Sequence, residues 1–305
     1  MKQNPFSLYD FLGYLIPGST FIYAYLIIEK WSADKSKFNL EDFLSSLSKS
    51  NFQDVFFFII IAYSLGHLIS FISSITIEKY GNWRYGYPSK TVIGFIKKSY
   101  WVNKTEPTGS STDKYLYETD TNEISRKNKN IGRTILIIII LPLFLIEYTF
   151  GIKLKFKNFY SKGLDDYLMK SIKKKIIFLL NSVENDTNNT ISESKLKTID
   201  FNRIAHHYAF ENSKEHQFRM VNYVALYGFL RNLVLTFIFA FWFYFAISLK
   251  TIDFSLKINW GMIGFNILLM FLSFISFMAY MKFYRRYTLE GLMLIVVDKE
   301  MRLSQ

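Results

Sequence analysis

Cysteine is absent from this 305-residue chain, and proline (5) and histidine (4) are scarce. Without cysteine, disulfides, thiolate metal sites and cysteine nucleophiles are excluded. The chain also lacks a glycine-rich phosphate loop, a nucleophile elbow and a His-x-x-x-His pair. No catalytic residue and no cofactor is therefore expected. The one histidine cluster is His206, His207 and His216, with Glu211 a turn after His207. It could offer two ligands to a metal, but a hydrogen-bonded or solvated helix surface is the plainer reading, and no metal is expected. No internal repeat and no low-complexity tract occurs. The first apolar run carries Asp10 and Pro17 and has no small-residue cleavage site, so no cleavable signal peptide is expected.

Apolar and aromatic residues, by contrast, are abundant: half the chain is hydrophobic, with 31 Phe and 21 Tyr. That composition, gathered into long runs, points to a membrane protein rather than a soluble domain. About 20 apolar residues in a helix cross a ~30 Å hydrocarbon core. Four runs qualify: Phe6–Ile28, Val55–Ile77, Ala225–Ser248 and Ile258–Met281. Pro17-Gly18 should kink the first. A fifth, TILIIIILPLFLI (Thr134–Ile146), is short, contains Pro142 and ends at Glu147, which reads as interfacial or buried rather than spanning.

Charge sets the orientation. The net charge is +12, with eleven Lys/Arg against six Asp/Glu in 78–133, thirteen against eight in 153–222, and five against three in 282–305. Loop 29–52 balances four against four. Basic loops stay in the cytoplasm, so four spans with both termini inside satisfy the charge pattern, whereas a fifth span would split the basic segments across the membrane. The expected fold is a mainly α, polytopic α-helical membrane protein with four transmembrane helices and a cytoplasmic, basic, largely helical domain. In that scheme 1–77 holds the first two spans and external loop 29–52, and 78–222 is the cytoplasmic domain with segment 134–146. Residues 223–281 hold the last two spans, and 282–305 form a cytoplasmic tail.

Within the loop, Asn39 should cap a short helix bearing Leu40, Phe43, Leu44 and Leu47. The stretch GLDDYLMKSIKKKIIFLLNSV is amphipathic, with Leu164, Tyr167, Leu168, Ile172, Leu179 and Val183 on one face and Asp165 and Asp166 at the dipole-positive end. Residues 201–224 contain no helix breaker, so one helix should run through them into the third span.

Polar residues inside the runs are costly in lipid and mark either helix contacts or a water path. His67, Ser70 and Ser74 follow Tyr63 at helical spacing in the second run; Asn232 and Thr236 do so in the third, and Asn266 and Ser273 in the fourth. All seven are candidates for a pore or bundle interior. Arg231 lies about six residues, or ~9 Å, inside the start of the third span, and Asp10 sits at similar depth in the first. Such charges either snorkel or pair; as a pair, Asp10 and Arg231 would gate the cytoplasmic ends. The basic cytoplasmic surface, with Lys127, Lys129, Arg203 and Arg219 as candidates, could hold an anionic ligand, and membrane lipid head groups are an alternative reason for the charge.

Two stretches, YDFLGYLIPG (Tyr9–Gly18) and ENSKEHQFRMVNYVALYGFLRN (Glu211–Asn232), resemble segments of bacterial membrane proteins encoded in anti-phage defence loci, most nearly the channel effector of the Hailong system. The resemblance covers about a tenth of the chain. It implies a homo-oligomeric, tetrameric ion channel of the bacterial inner membrane. A partner nucleotidyltransferase would make an oligodeoxynucleotide second messenger, a short oligodeoxyadenylate, that holds the channel shut. Loss of that ligand on infection would depolarise the cell. A membrane-anchored scaffold that recruits a cytoplasmic partner protein is the competing expectation.

Overall fold

The computed structural model describes residues 8–33, 45, 51–106, 114–183, 191–250 and 260–298. The external-loop helix expected around Asn39–Leu47 lies outside them. The protein is mostly helical, and among the described residues four helices are long and apolar enough to cross a membrane. Its residues divide into two compact units. Unit 1 comprises 1–78, 140–154 and 225–280; unit 2 comprises 79–139, 155–224 and 281–305.

In unit 1 the chain enters as α1 (Leu8–Asp10), passes a π-helical turn over Phe11–Leu15 and continues as α2 (Ile16–Ala33). The sequence predicted a kink at Pro17-Gly18, and the irregularity takes the form of this wider turn just before Pro17. Helix α3 (Phe52–Ser73) opens with the Asn51 amide N–H donating to the Asp54 carboxylate (3.2 Å) and ends in a second π turn, Ser74–Glu78. Helix α2 meets α3 backbone to backbone. A Cβ built on Gly18 would lie 1.8 Å from the Ala62 carbonyl oxygen, and one on Gly66 would lie 2.0 Å from that of Tyr14. Glycine is required at both, because only small residues let helices approach so closely. Further along, Ile28 of α2 packs with Ala240, Tyr244 and Leu269, and the Tyr244 and Phe265 rings meet edge to face at 4.7 Å. The outer surface is apolar: Phe57 is 62% and Phe71 65% exposed. That is the pattern of helices whose surroundings are lipid.

Unit 2 has an aliphatic core of its own. It contains α4 (Lys79–Tyr85), α5 (Pro88–Val92), a two-residue parallel pair of β1 (Ile96–Lys97) with β2 (Tyr115–Leu116), and α6 (Glu123–Ile139). Helices α7 (Leu141–Ile146) and a third π turn, Glu147–Lys153, follow in unit 1. The Thr134–Ile146 run is therefore no straight span: the helices on either side of the break at Ile140 meet at 87°. Pro142 explains the break, since it lacks an N–H and clashes with the preceding turn.

Helix α8 (Asp166–Val183) is capped by Asp165, whose carboxylate accepts the Leu168 N–H at 2.9 Å. It buries Ile172, Ile176, Leu179 and Leu180 against Val92, Ile93, Phe95, Leu196, Phe201, Leu292 and Ile295. The apolar face is thus rotated from the expected one. Tyr167 and Val183 are exposed, and Ile176, not singled out from the sequence, is at its centre.

Helix α9 (Phe201–Asn212) ends at Ser213, which is extended (φ −151°, ψ 111°), before α10 (Lys214–Lys250). This corrects the expectation of one helix through 201–224. Ser213 is a capping residue: its hydroxyl accepts the His216 N–H (3.4 Å), while the Asn212 amide donates to the Tyr208 carbonyl (2.9 Å). Two local side-chain bonds suffice to break a helix that has no Gly or Pro. Helix α11 (Trp260–Val297) completes the chain described.

Candidate functional site

The most chemically specific site in unit 1 surrounds Arg231. Pro17 has no N–H, so the Gly13 carbonyl four residues earlier cannot receive an ordinary α-helical bond. The Asn232 side-chain amide supplies the missing donor at 2.7 Å. On its other side, the Asn232 carbonyl oxygen lies 2.5 Å from the Ser73 hydroxyl, which also lies 2.9 Å from the Ser70 carbonyl. The single hydroxyl proton of Ser73 is shared between these acceptors, and its oxygen accepts from the Arg231 Nε at 3.0 Å. One terminal nitrogen of Arg231 pairs with the Glu78 carboxylate; the other lies 3.4 Å from the Ser70 carbonyl and hydroxyl.

Burial gives this cluster its weight. Ser73, Asn232 and Arg231 are buried, and Glu78 keeps about a third of its side chain exposed (31%). An arginine in low dielectric is tolerated when a carboxylate and hydrogen-bond acceptors surround it. The cluster ties together three segments: the first π turn, the end of α3 with the second π turn, and α10.

The expected partner of Arg231 was Asp10; the carboxylate bonded to it is that of Glu78. Asp10 lies at the start of the first π turn, two residues after Leu8. Glu78 follows the last apolar residue of the second run and was read as the first residue of the cytoplasmic domain. The π turn holds it at the end of that helix.

The remaining polar positions fall into two sets. Asn232, Thr236 and Ser273 are buried inside unit 1; Thr236 and Ser273 donate to carbonyls of their own helices, those of Asn232 (3.1 Å) and Met270 (2.7 Å). Asn266 is half-buried and Ser74 donates to the Phe71 carbonyl at 2.6 Å. His67 is exposed, stacked on Tyr14 (3.8 Å) with Tyr63 at its edge.

Unit 2 holds the basic candidates. Three of the four face a carboxylate: Lys129 lies 2.9 Å from Asp120, Arg203 3.0 Å from Asp200, and Arg219 3.4 Å from Glu290, which His216 also approaches. The bonds from Lys129 and Ser125 hold Asp120 well below the usual carboxylate range, at about 2. Lys127 is exposed.

Sequence reasoning missed two cations here. Arg133 is 1% exposed, its guanidinium 4.6 Å from the Trp83 ring and 5.7 Å from that of Tyr100, bonded to the Tyr100 carbonyl and to Glu118. Lys90 donates to the carbonyls of Leu196 and Ile199, and burial lowers its pKa to about 8.

His206 lies edge to face with Tyr287 at 4.5 Å, its buried Nε2 without a hydrogen-bond partner, and desolvation pushes its pKa down to about 4. Among the described residues, no group of three or more His, Asp or Glu is placed to hold a metal ion.

No protein-family model matches the chain, and comparisons with curated proteins and with solved structures return no significant match.

Proposed function

We propose that the protein is a ligand-gated, homo-oligomeric membrane channel of bacterial anti-phage defence, with the Arg231 cluster as its latch. The observation that carries this reading is an ion pair, Arg231 with Glu78, set at the end of apolar helices and completed only by polar contacts between separate segments. Such contacts have discrete made and broken states, which a gate needs.

The basic unit 2 would face the cytoplasm of the inner membrane and receive an anionic, nucleotide-type ligand. Lys127, Lys129, Arg203 and Arg219 remain its candidate cations, and phosphates would compete with Asp120, Asp200 and Glu290 for three of them. Helix α10 runs unbroken from Lys214 to Lys250 and carries both Arg219 and Arg231. A single protomer supplies few helices for a pore, so conduction requires several copies around a shared axis.

The test is ion flux from vesicles reconstituted with purified protein. Wild-type protein with a short oligodeoxyadenylate should hold a gradient, and Glu78→Gln should raise flux about tenfold even with the ligand present. Ligand binding should weaken steeply with salt through counterion release. A monomeric particle with no flux from either protein, with or without oligonucleotide, would overturn the channel and favour the membrane-anchored scaffold.

A further inference from the structure

Helix α6 is inside out. Its inward side carries polar residues beside the buried Leu136: Arg133 is sealed between aromatic rings, and Asn130 clasps Val102 by both its N–H (2.9 Å) and its carbonyl (3.1 Å). Its outward side is apolar: Ile124 is 74%, Ile131 49%, Ile135 53% and Ile138 58% exposed. At about 100° per residue these four fall within an arc of roughly 60°, where a helix in water carries its charges. Lys127, exposed, flanks that stripe. An apolar face of this kind on a unit with an ordinary aliphatic core marks a contact surface.

Two occupants compete for it. A second copy would need a coiled-coil seam. With Ile124, Ile131 and Ile138 at the fourth position of each heptad, the first positions are Asn128 and Ile135, a seam of only about two heptads with an amide inside it, short of the three to four that a coiled coil sustains. A bilayer surface needs only what α6 has: an isoleucine stripe to reach the acyl boundary and a lysine beside it to meet head-group phosphate. The chain also passes directly from α6 into the apolar Leu141–Ile146 helix.

We infer that α6 lies in the membrane interface, with Ile124, Ile131, Ile135 and Ile138 inserted among the lipids and Lys127 on anionic head groups, which leaves Lys129, Arg203 and Arg219 as the cations for a soluble ligand. This rests on the membrane reading of unit 1 but not on the pore. The absence of cysteine makes the test direct. Single variants Ile131→Cys, Phe57→Cys and Ser194→Cys are labelled with an environment-sensitive fluorophore. The full chain is then reconstituted in vesicles containing phosphatidylglycerol or only phosphatidylcholine.

A label at Ile131 should be quenched by a shallow spin-labelled lipid and little by aqueous iodide, while one at Ser194 responds to iodide alone. Lys127→Glu should at least halve the lipid quenching at Ile131 in phosphatidylglycerol vesicles. Iodide quenching at Ile131 equal to that at Ser194 overturns the inference by showing an open surface. Quenching by neither agent overturns it in favour of a second copy. If Lys127→Glu changes nothing, the head-group contact is wrong. Iodide quenching at Phe57 would instead show that the membrane reading itself has failed.

Discussion

Each unit buries an arginine, and the two are held by opposite means. In unit 2, Arg133 is walled by Trp83 and Tyr100, and its charge is met by Glu118 and one carbonyl. In unit 1, Arg231 has no ring in that role: two serines, a carbonyl and Glu78 surround it, and Asn232 extends the chain of contacts to Gly13. Aromatic walls make a cation part of a packed core, fixed in one geometry. Both carboxylates keep about a third or more of their side chains exposed, so the difference lies in the hydroxyls, whose contacts with Arg231 water or a rotamer change can take over. Burial alone therefore does not separate a structural arginine from a switching one; the chemistry of the partners does.

The contrast can be broken most severely at glycine. Gly66→Ala forces a methyl into the Tyr14 carbonyl. It should cost more than about 3 kcal/mol, seen as loss of a monodisperse particle in detergent and of thermal stability. Gly132→Ala, with open space around it in α6, should instead stabilise by up to about 1 kcal/mol.

Next come the arginines themselves. Arg133→Met should destabilise by roughly 3 kcal/mol, because it leaves the buried Tyr100 carbonyl without its donor and removes the contact with Trp83, while Glu118 keeps Lys97 at 3.6 Å. Arg231→Met should cost about 2 kcal/mol in thermal unfolding, less because Ser73 keeps the Ser70 carbonyl and the Asn232 side chain as partners. The comparison is sharpened if Arg231→Met also changes ion flux while Arg133→Met changes stability alone. Equal flux changes for both would erase the distinction between packed and exchangeable cations.

A smaller effect is set by acid. The folded-state pKa of His206 lies below its ordinary value, so between about 6.5 and about 4 the unfolded chain binds the proton that the folded chain refuses. Stability should therefore fall as pH drops through that window, and His206→Phe should flatten this part of the profile measured by thermal unfolding. Asp200, which favours the charged form, and His207, which opposes it, are the nearby charges that tune it. Smallest of all, Ser213→Ala should cost about 1 kcal/mol through the lost cap.

The four long apolar helices were legible because lipid demands runs of apolar residues regardless of packing. Side-chain partners were less so. Glu290, which meets Arg219, comes from a distant helix, and no local pattern announces it. Asp120 and Asp200 sit within ten residues of Lys129 and Arg203 and were overlooked because charge was counted by segment rather than paired along the chain. Glu78 was missed because it lies one residue past an apolar run, where sequence reading places a loop. Arg133 likewise precedes a run directly and reads as its flank. Pro17 carried more information than was drawn from it: an absent N–H at residue 17 leaves the carbonyl at residue 13 in need of a donor, and Asn232 is the answer.

The π turns at Phe11–Leu15 and Ser74–Glu78 have a mechanical side. A π turn holds one residue more than the surrounding helix requires. If that residue is passed along the helix, the residues it passes rotate by about 100° and advance about 1.5 Å. Glu78 is the last residue of its turn, so a single slip would swing its carboxylate through more than a quarter of a revolution, out of reach of Arg231. Such a slip would be a screw motion of one residue's pitch with no helix unfolded, and it would turn the buried Ile77 of the same turn together with Glu78.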